Sequence, residues 1–286
     1  MKKLIASPVV EEIKRSLKER VFLLKQKGMT PKMCVVLVGN NPASLTYINN
    51  KKKICLEVGA EFQLEHLSEK ITSDEFCDRL NTLNNDPDIH GIIIQLPVTK
   101  DLSSLDIMTL VHPEKDIDGF HPLNISKLYS LNFDQKTLLP CTPKGVLKLL
   151  DYYGEKIEGK NVLIIGRSLI VGKPLSLLMN SRNATVTLAH SKTKNLNTLA
   201  DMADIIVMAV GKPLFLDHSF FSTKKERTLI DVGINSVNGK IVGDFLSEGC
   251  ESFVTSYTPV PGGVGPMTVI SLIENLILSC ENKRKA

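Results

Sequence analysis

Asn161-Val162-Leu163-Ile164-Ile165-Gly166-Arg167-Ser168-Leu169-Ile170-Val171-Gly172-Lys173-Pro174 is the stretch on which the fold turns. Its first five residues end in an unbroken apolar run, as a strand buried on both faces of a parallel sheet requires. Gly166 follows directly. A glycine there lets main chain approach a pyrophosphate closely, and the helix that comes next presents unpaired N–H groups to it. The spacing is not G-x-G-x-x-G: Ser168 stands where the second glycine would be, and the next glycine is Gly172. An ordinary strand–helix turn has the same look, so the loop by itself leaves both readings open.

The surrounding sequence extends the pattern. Thr142-Pro143 opens a helix carrying Val146, Leu147, Leu149 and Leu150, which Gly154 closes. Strand-like runs follow at 184–188, 204–209 and Thr228–Asp231, and helical patterns separate the first three strands of the set. The layout predicts a Rossmann-type dinucleotide-binding domain over residues 141–266. Sites that prefer NAD usually place Asp or Glu about 20 residues beyond the glycine loop to hold the ribose 2′-hydroxyl. Here the segment reads Ala189-His190-Ser191-Lys192-Thr193-Lys194, with no acid. A carboxylate repels a 2′-phosphate, whereas hydroxyls, lysines and Arg167 attract one, so these residues point to NADP. A solvated lysine loop has the same composition.

The front half alternates in the same way. An apolar run at 33–38 ends at Gly39, and Asn41-Pro42 then supplies an N-cap and a first-turn proline for a helix that stops near Gly59. Phe62, Leu64 and His66 alternate as in a strand, and Thr72 with Glu75 makes a capping box ahead of Phe76, Leu80 and Leu83. A second apolar run at 91–96 is ended by Pro97. This β-α-β-α-β order implies a parallel sheet covered by helices. The halves meet near Leu139-Pro140, and a final helix pattern at 267–280 is placed to return to the first half. The expected fold class is α/β with two α/β domains: residues 1–140 together with the last helix, 267–286, and residues 141–266.

Composition excludes other classes. The chain has 286 residues, 43% hydrophobic and 23% charged, which is ordinary globular usage and not that of a disordered, collagenous or coiled-coil protein. A net charge of +4 is too small a surplus for a dedicated nucleic-acid binder, and the basic tail Lys283-Arg284-Lys285 suits a solvated C-terminus. Six cysteines without a Cys-x-x-Cys pair argue against a zinc ribbon or disulfide framework and for a reducing compartment. The histidines show no metal-ligand spacing. The basic N-terminus lacks the apolar run of a secretory signal, and no uninterrupted apolar run reaches the roughly 20 residues of a membrane span; the stretch 269–278 is broken by Glu274 and Asn275. A cytoplasmic protein with no metal, membrane or nucleic-acid partner is expected.

The candidate chemistry sits in the front half. Tyr47 and Lys51 are four residues apart on the helix opened by Pro42 and share one face. Lys52 and Lys53 raise the local positive potential, which disfavours an ammonium and would suit Lys51 to proton transfer. A solvent-facing basic helix turn has the same residues. Gln95 is a polar amide at the end of a buried run. Asp118, in Lys115-Asp116-Ile117-Asp118-Gly119, either holds a guanidine-like ring edge through paired hydrogen bonds or is a turn aspartate before Gly119. Both lie near strand ends, where open α/β sheets place their ligands. Thr258-Pro259-Val260-Pro261-Gly262-Gly263-Val264-Gly265-Pro266 presents main-chain N–H groups to an anion or a ring, or is a linker before the last helix.

Taken in order, these segments resemble the bifunctional methylenetetrahydrofolate dehydrogenase/cyclohydrolase family of bacteria. The likeness is carried by Val38-Gly39, Pro42-Ala43-Ser44 and Tyr47-x-x-x-Lys51; by Gln95-Leu96-Pro97 and Lys115-Asp116-Ile117-Asp118-Gly119; and by Pro140-Cys141-Thr142-Pro143-Lys144-Gly145. It continues through Gly166-Arg167-Ser168-x-x-Val171-Gly172-x-Pro174, His190-Ser191-Lys192-Thr193, Asp231-Val232-Gly233-Ile234-Asn235 and the loop 258–268. The resemblance implies a two-domain α/β homodimer with a folate cleft between its domains. It also implies NADP-dependent oxidation of 5,10-methylenetetrahydrofolate to the 5,10-methenyl form, then hydrolysis to 10-formyltetrahydrofolate. On this chain it makes Lys51 the acid/base residue, with Gln95 orienting or tuning it. Tyr47 would stack on the aminobenzoyl ring and Asp118 would hold the pterin edge. Leu96, Pro97, Pro261, Gly262, Gly263, Val264 and Gly265 would line the folate site. Thr142, Gly166, Arg167, Ser168, Ser191, Gly233 and Ile234 would hold NADP.

Ser126 departs from the family pattern, which has glycine in many relatives, and bears only on loop geometry. The rivals are another two-domain NADP dehydrogenase acting on a different carbonyl or imine, and a catalytically idle NADP-binding protein. Short-chain dehydrogenases also use Tyr-x-x-x-Lys, but after the cofactor strand of the same domain; here it comes before that strand. Joint retention of Lys51, Gln95 and Asp118 speaks for an enzyme.

Overall fold

The computed structural model describes residues 1–130, 134 and 136–283. Arg284 and Lys285 of the basic tail therefore lie outside the described residues. A short strand, β1 (Lys2–Lys3), and a helix, α1 (Ser7–Lys25), open the chain. Then come β2 (Lys32–Val38), α2 (Pro42–Glu57), β3 (Glu61–Leu67), α3 (Ser73–Asn85) and β4 (Gly91–Ile94). The cap residues act as their chemistry dictates. Asn41 Oδ1 accepts from the Ala43 and Ser44 N–H groups at 3.0 and 3.2 Å, and Thr72 and Glu75 form the reciprocal capping box of α3. The three strands make a parallel sheet in the order β3-β2-β4. β4 is shorter than the apolar run predicts: Gln95 still donates its N–H to Val36 O, but Pro97 has none to continue the ladder.

A short helix, α4 (Pro122–Ser126), follows, where the Ser126 hydroxyl donates to Leu123 O at 3.0 Å. The departure from glycine is thus absorbed at a helix end. Next are α5 (Cys141–Tyr153), β5 (Asn161–Ile165), α6 (Gly172–Asn180), β6 (Thr185–Ala189), α7 (Leu196–Met202), β7 (Ile205–Met208) and β8 (Thr228–Asp231). A hairpin of β9 (Asn235–Val237) and β10 (Lys240–Val242) leads to β11 (Ser256–Tyr257) and the last helix, α8 (Val264–Lys283). The second sheet is parallel throughout, in the order β1-β11-β8-β7-β5-β6. β5 lies between β6 and β7, so the connections leaving β5 and β7 run in opposite directions across the sheet, and α/β sheets bind ligands at such a switch point.

The chain forms two compact units. One, the dinucleotide unit, holds Met1–Glu11 and Thr142–Thr268; the other, the catalytic unit, holds Glu12–Lys127, the residues leading up to Cys141, and α8 from Val269 onward. The first eleven residues, counted with the front domain in the sequence reading, group with the dinucleotide unit because β1 pairs with β11. The last helix belongs to the catalytic unit over most of its length. There Ile270, Leu272, Ile273, Leu276 and Ile277 are buried, each contributing about 1.5–3 kcal/mol, and Glu281 pairs bidentately with Arg20 of α1. α8 begins at Val264, earlier than its apolar pattern, because a proline in the first turn, here Pro266, needs no N–H partner. Val264 and Gly265 are therefore helical rather than loop. By length and composition α8 is apolar enough to cross a bilayer, yet most of that stretch is buried within the protein.

Candidate functional site

The catalytic unit brings Tyr47, Lys51, Gln95, Leu96, Pro97 and Asp118 into one body. α2 carries Tyr47 and Lys51 one turn apart, anchored from beneath by buried Ser44 and Ile48. Lys51 Nζ donates to Gln95 Oε1 at 3.0 Å. Gln95 is buried, and its Nε2 donates to Leu96 O at 2.9 Å, which fixes the amide so that its oxygen faces the lysine. The neighbouring lysines turn elsewhere: Lys52 lies over the Phe62 ring and Lys53 reaches Glu57. The direct side-chain partner of Lys51 is therefore Gln95. Tyr47 is 43% exposed, so it is open to a stacking partner.

Asp118 sits in a loop shaped by Asp116. The turn role belongs to Asp116, whose carboxylate accepts from Gly119 N at 3.1 Å, His121 N at 2.7 Å and Asn124 Nδ2 at 3.0 Å. Among the described residues no hydrogen bond ties up the Asp118 carboxyl. Burial raises Asp118 to about 6, the Lys51 ammonium pulls it down, and the Asp116 carboxylate pushes it up. Gly119 cannot be replaced here: its φ is +77°, and an added Cβ would lie 2.5–2.6 Å from the main chain of Leu139 and Pro140.

The dinucleotide unit holds Thr142, Gly166, Arg167, Ser168, Ser191, Gly233 and Ile234, and with them Pro261, Gly262, Gly263, Val264 and Gly265. Gly166 has φ +125°, and a Cβ there would collide with the Ala209 carbonyl oxygen, so only glycine allows β5 to turn so close to the end of β7. One expectation is corrected. The first N–H groups of α6 are not left open: Val171 N and Gly172 N bond Ser168 Oγ at 3.2 and 3.4 Å, and Lys173 N bonds Ser168 O. The outer bonds are long enough to yield to a stronger acceptor. Arg167, Ser168, Ser191 and Lys192 are all exposed. The turn after β6 closes when Thr193 Oγ1 accepts from His190 N and His190 Nδ1 from Lys192 N, leaving Ser191 at its tip. With no acid at that turn, the donor set fits a phosphorylated ribose. Thr142 Oγ1 meets Thr268 Oγ1 at 3.0 Å, while Ile234 is 49% exposed.

Two residues given no role by sequence reasoning organise this unit. Asp231 Oδ1 accepts from Gly233 N and Asp244 N, and its Oδ2 from Phe245 N. Asp244 accepts from Val210, Gly211 and Lys212 N–H groups and from Asn235 Nδ2. These buried carboxylates tie together the loops after β7, β8 and β10. Burial lifts Asp231 to about 6 despite its three main-chain donors. Among the described residues no group of three or more metal-ligating side chains assembles.

A small parallel-sheet unit with a lysine–amide–carboxylate group and a Rossmann-type unit with a basic turn after β6 fit an α/β oxidoreductase that uses a nicotinamide dinucleotide. Comparison with known proteins narrows this. The catalytic domain of tetrahydrofolate dehydrogenase/cyclohydrolase matches residues 4–118, and its NAD(P)-binding domain matches residues 140–284. The bifunctional protein FolD of Halalkalibacterium halodurans is 44% identical over 261 residues, 91% of this chain and 92% of that one. The crystal structure of the bifunctional FolD enzyme from Campylobacter jejuni has a TM-score of 0.94 at 42% identity, covering 99% of both chains. The Trypanosoma brucei enzyme, crystallised with NADP cofactor and an inhibitor, has a TM-score of 0.91 at 30% identity, covering 99% of this chain and 98% of that one. The chain belongs to the tetrahydrofolate dehydrogenase/cyclohydrolase family, with both of the family's domains present.

Proposed function

We propose that this chain oxidises 5,10-methylenetetrahydrofolate to the 5,10-methenyl form with NADP and then hydrolyses that product to 10-formyltetrahydrofolate, Lys51 serving the hydrolytic step. The observation that carries the reading is the amine at Lys51, held at 3.0 Å by an oriented amide and electrostatically coupled to Asp118. Bound NADP supplies the hydride acceptor, and the redox chemistry is its own. Arg167, Ser168 and Ser191 hold its phosphates, Gly166 lets it approach, and Thr142, Gly233 and Ile234 complete its binding. Loss of hydride leaves a methenyl cation, so the first step asks the protein mainly for positioning. In the second, water adds to the cationic carbon. The Lys51 amine takes one proton from the attacking water, and its ammonium returns that proton to the ring nitrogen as the C–N bond opens. The second water proton leaves to solvent as the formyl C=O forms, so the substrate's positive charge departs as H+. Gln95 keeps Nζ in place through both transfers. Tyr47 stacks on the aminobenzoyl ring, Asp118 accepts the pterin N–H groups, and Leu96, Pro97 and the segment Pro261, Gly262, Gly263, Val264 and Gly265 shape the folate surroundings.

The reading extends to a cytoplasmic homodimer. The six cysteines, none of them in a disulfide, support a reducing compartment, and sedimentation of the purified protein tests the assembly. For the activity, methylenetetrahydrofolate is supplied with NADP or NAD while methenyl absorbance is followed. Methenyl should appear faster with NADP and then decay faster than without protein. No methenyl above background overturns the reading.

A further inference from the structure

Asn275 interrupts the most apolar stretch of the chain, and neither the sequence pattern nor the reaction accounts for it. It lies in the middle of α8, fully buried, among Leu272, Ile273, Leu276 and Ile277. A bare amide there would cost stability, so it must be satisfied. Its Nδ2 donates to Ile117 O at 2.9 Å and to Leu139 O at 2.8 Å, and it lies 3.5 Å from Cys141 Sγ. Ile117 is the residue before Asp118. The same carbonyl accepts from Cys141 Sγ at 3.1 Å, and the carbonyl of Asp118 itself accepts from Cys141 N at 3.2 Å. Leu139 is the residue whose main chain packs against Gly119, on the other side of Asp118. One side-chain amide thus grips the main chain before Asp118 and the segment that backs it.

We propose that Asn275 is a positioning residue for folate recognition: through Ile117 O and Leu139 O it fixes the direction in which the Asp118 carboxyl faces. The proposal rests on the reading above in which Asp118 holds the pterin. The Asp118 loop has its own turn, built by Asp116, and Lys115 O at its start accepts from Ile92 N of β4; Asn275 adds the hold from α8 immediately beside Asp118. Ser279, one turn further along α8, sits at the same face upstream, its hydroxyl 2.6 Å from His90 O and 2.7 Å from Glu114 O and able to donate its single proton to either. A helix serves better than a loop for this purpose because its own packing holds it rigid.

The test is a double-mutant cycle on the full-length enzyme: Asn275→Ala, Asp118→Asn and the pair, with KM for methylenetetrahydrofolate and for NADP measured in each, and folding checked by NADP binding. Asn275→Ala should raise the folate KM about tenfold and leave the NADP KM within twofold. In the Asp118→Asn background the same change should add less than twofold, because the carboxyl it orients is already gone. Equal rises in both KM values, no rise, or a full tenfold rise in the Asp118→Asn background each overturn the proposal. If Asn275→Ala does not bind NADP, Asn275→Gln, which keeps both donors on a longer stem, takes its place with the same criteria. An unchanged folate KM in Asp118→Asn alone would instead overturn the reading of Asp118 and is distinguished on that ground.

Discussion

Folate binding should depend on the charge of Asp118, and its pH profile should respond to Lys51. Burial raises Asp118 to about 6 against the pull of Lys51. At pH 7 the carboxylate is then about nine-tenths ionised, and at pH 5 only about one-tenth. Hydrogen bonds to a charged acceptor are worth about 1.5–3 kcal/mol, against roughly 0.5–1.5 for neutral ones. Protonation should therefore cost about 1.4 kcal/mol, or about tenfold in kcat/KM for methylenetetrahydrofolate. Removing the ammonium with Lys51→Met takes away the interaction that lowers Asp118, so the midpoint must move up. The assay is the initial rate of the dehydrogenase step from pH 5 to 8, with kcat/KM reporting the free enzyme. That step remains measurable in Lys51→Met because the proton transfer assigned to Lys51 belongs to hydrolysis. Asp118→Asn is the control and should lack the acid limb. A limb that persists in Asp118→Asn, or a midpoint that falls or stays fixed in Lys51→Met, refutes the reasoning.

Arg167→Ala should lower kcat/KM with NADP at least tenfold more than with NAD; an unchanged ratio shows that Arg167 does not read the 2′-phosphate. His90 is held neutral by burial and the nearby lysines, down to about 4. Its folded-state value is depressed, so its contribution is intact above pH 6.5 and is lost as pH falls from 6.5 toward 4, by up to about 3 kcal/mol. Urea unfolding of the wild type and His90→Gln should show the variant losing less stability over that window, and parallel losses count against it. Burial pushes the Cys34 and Cys55 thiols to about 12 and those of Cys250 and Cys280 to about 11, so in native protein at pH 8 a thiol reagent should modify Cys77 first. Mass spectrometry finding a buried cysteine modified ahead of Cys77 contradicts this.

Local chemistry made much of the fold readable. Asn41-Pro42 and Thr72 with Glu75 start helices by hydrogen bonds that involve only neighbours in the chain, and the apolar runs of β2, β4 and β5 mark buried parallel strands. Two further elements are legible in the sequence. Val10, Leu17, Val21 and Leu24 recur at helical spacing in α1. Asn238-Gly239, both at positive φ, is the turn expected between paired strands, and it joins β9 to β10. Other features were not legible, because their partners are distant in sequence. β1 exists only through β11, and the roles of Asp231 and Asp244 depend on main-chain groups that the fold brings to them. The site residues were found through family motifs, since Tyr-x-x-x-Lys is too common on helices to identify itself. Geometry added what the motifs lacked: the Leu96 carbonyl that fixes the Gln95 amide so that its oxygen meets Lys51, and Asp116 rather than Asp118 in the turn.

The central claim is that the Lys51 amine moves the proton in hydrolysis and is not needed for oxidation. Methenyltetrahydrofolate decay measured with wild type and Lys51→Met tests it most directly, with NADP binding as the check on folding. The expected result is hydrolysis reduced 10²–10⁴-fold, the usual reach of a positioned acid/base group, in a protein that still binds NADP and still forms methenyl product. Hydrolysis within a few-fold of wild type would contradict the account.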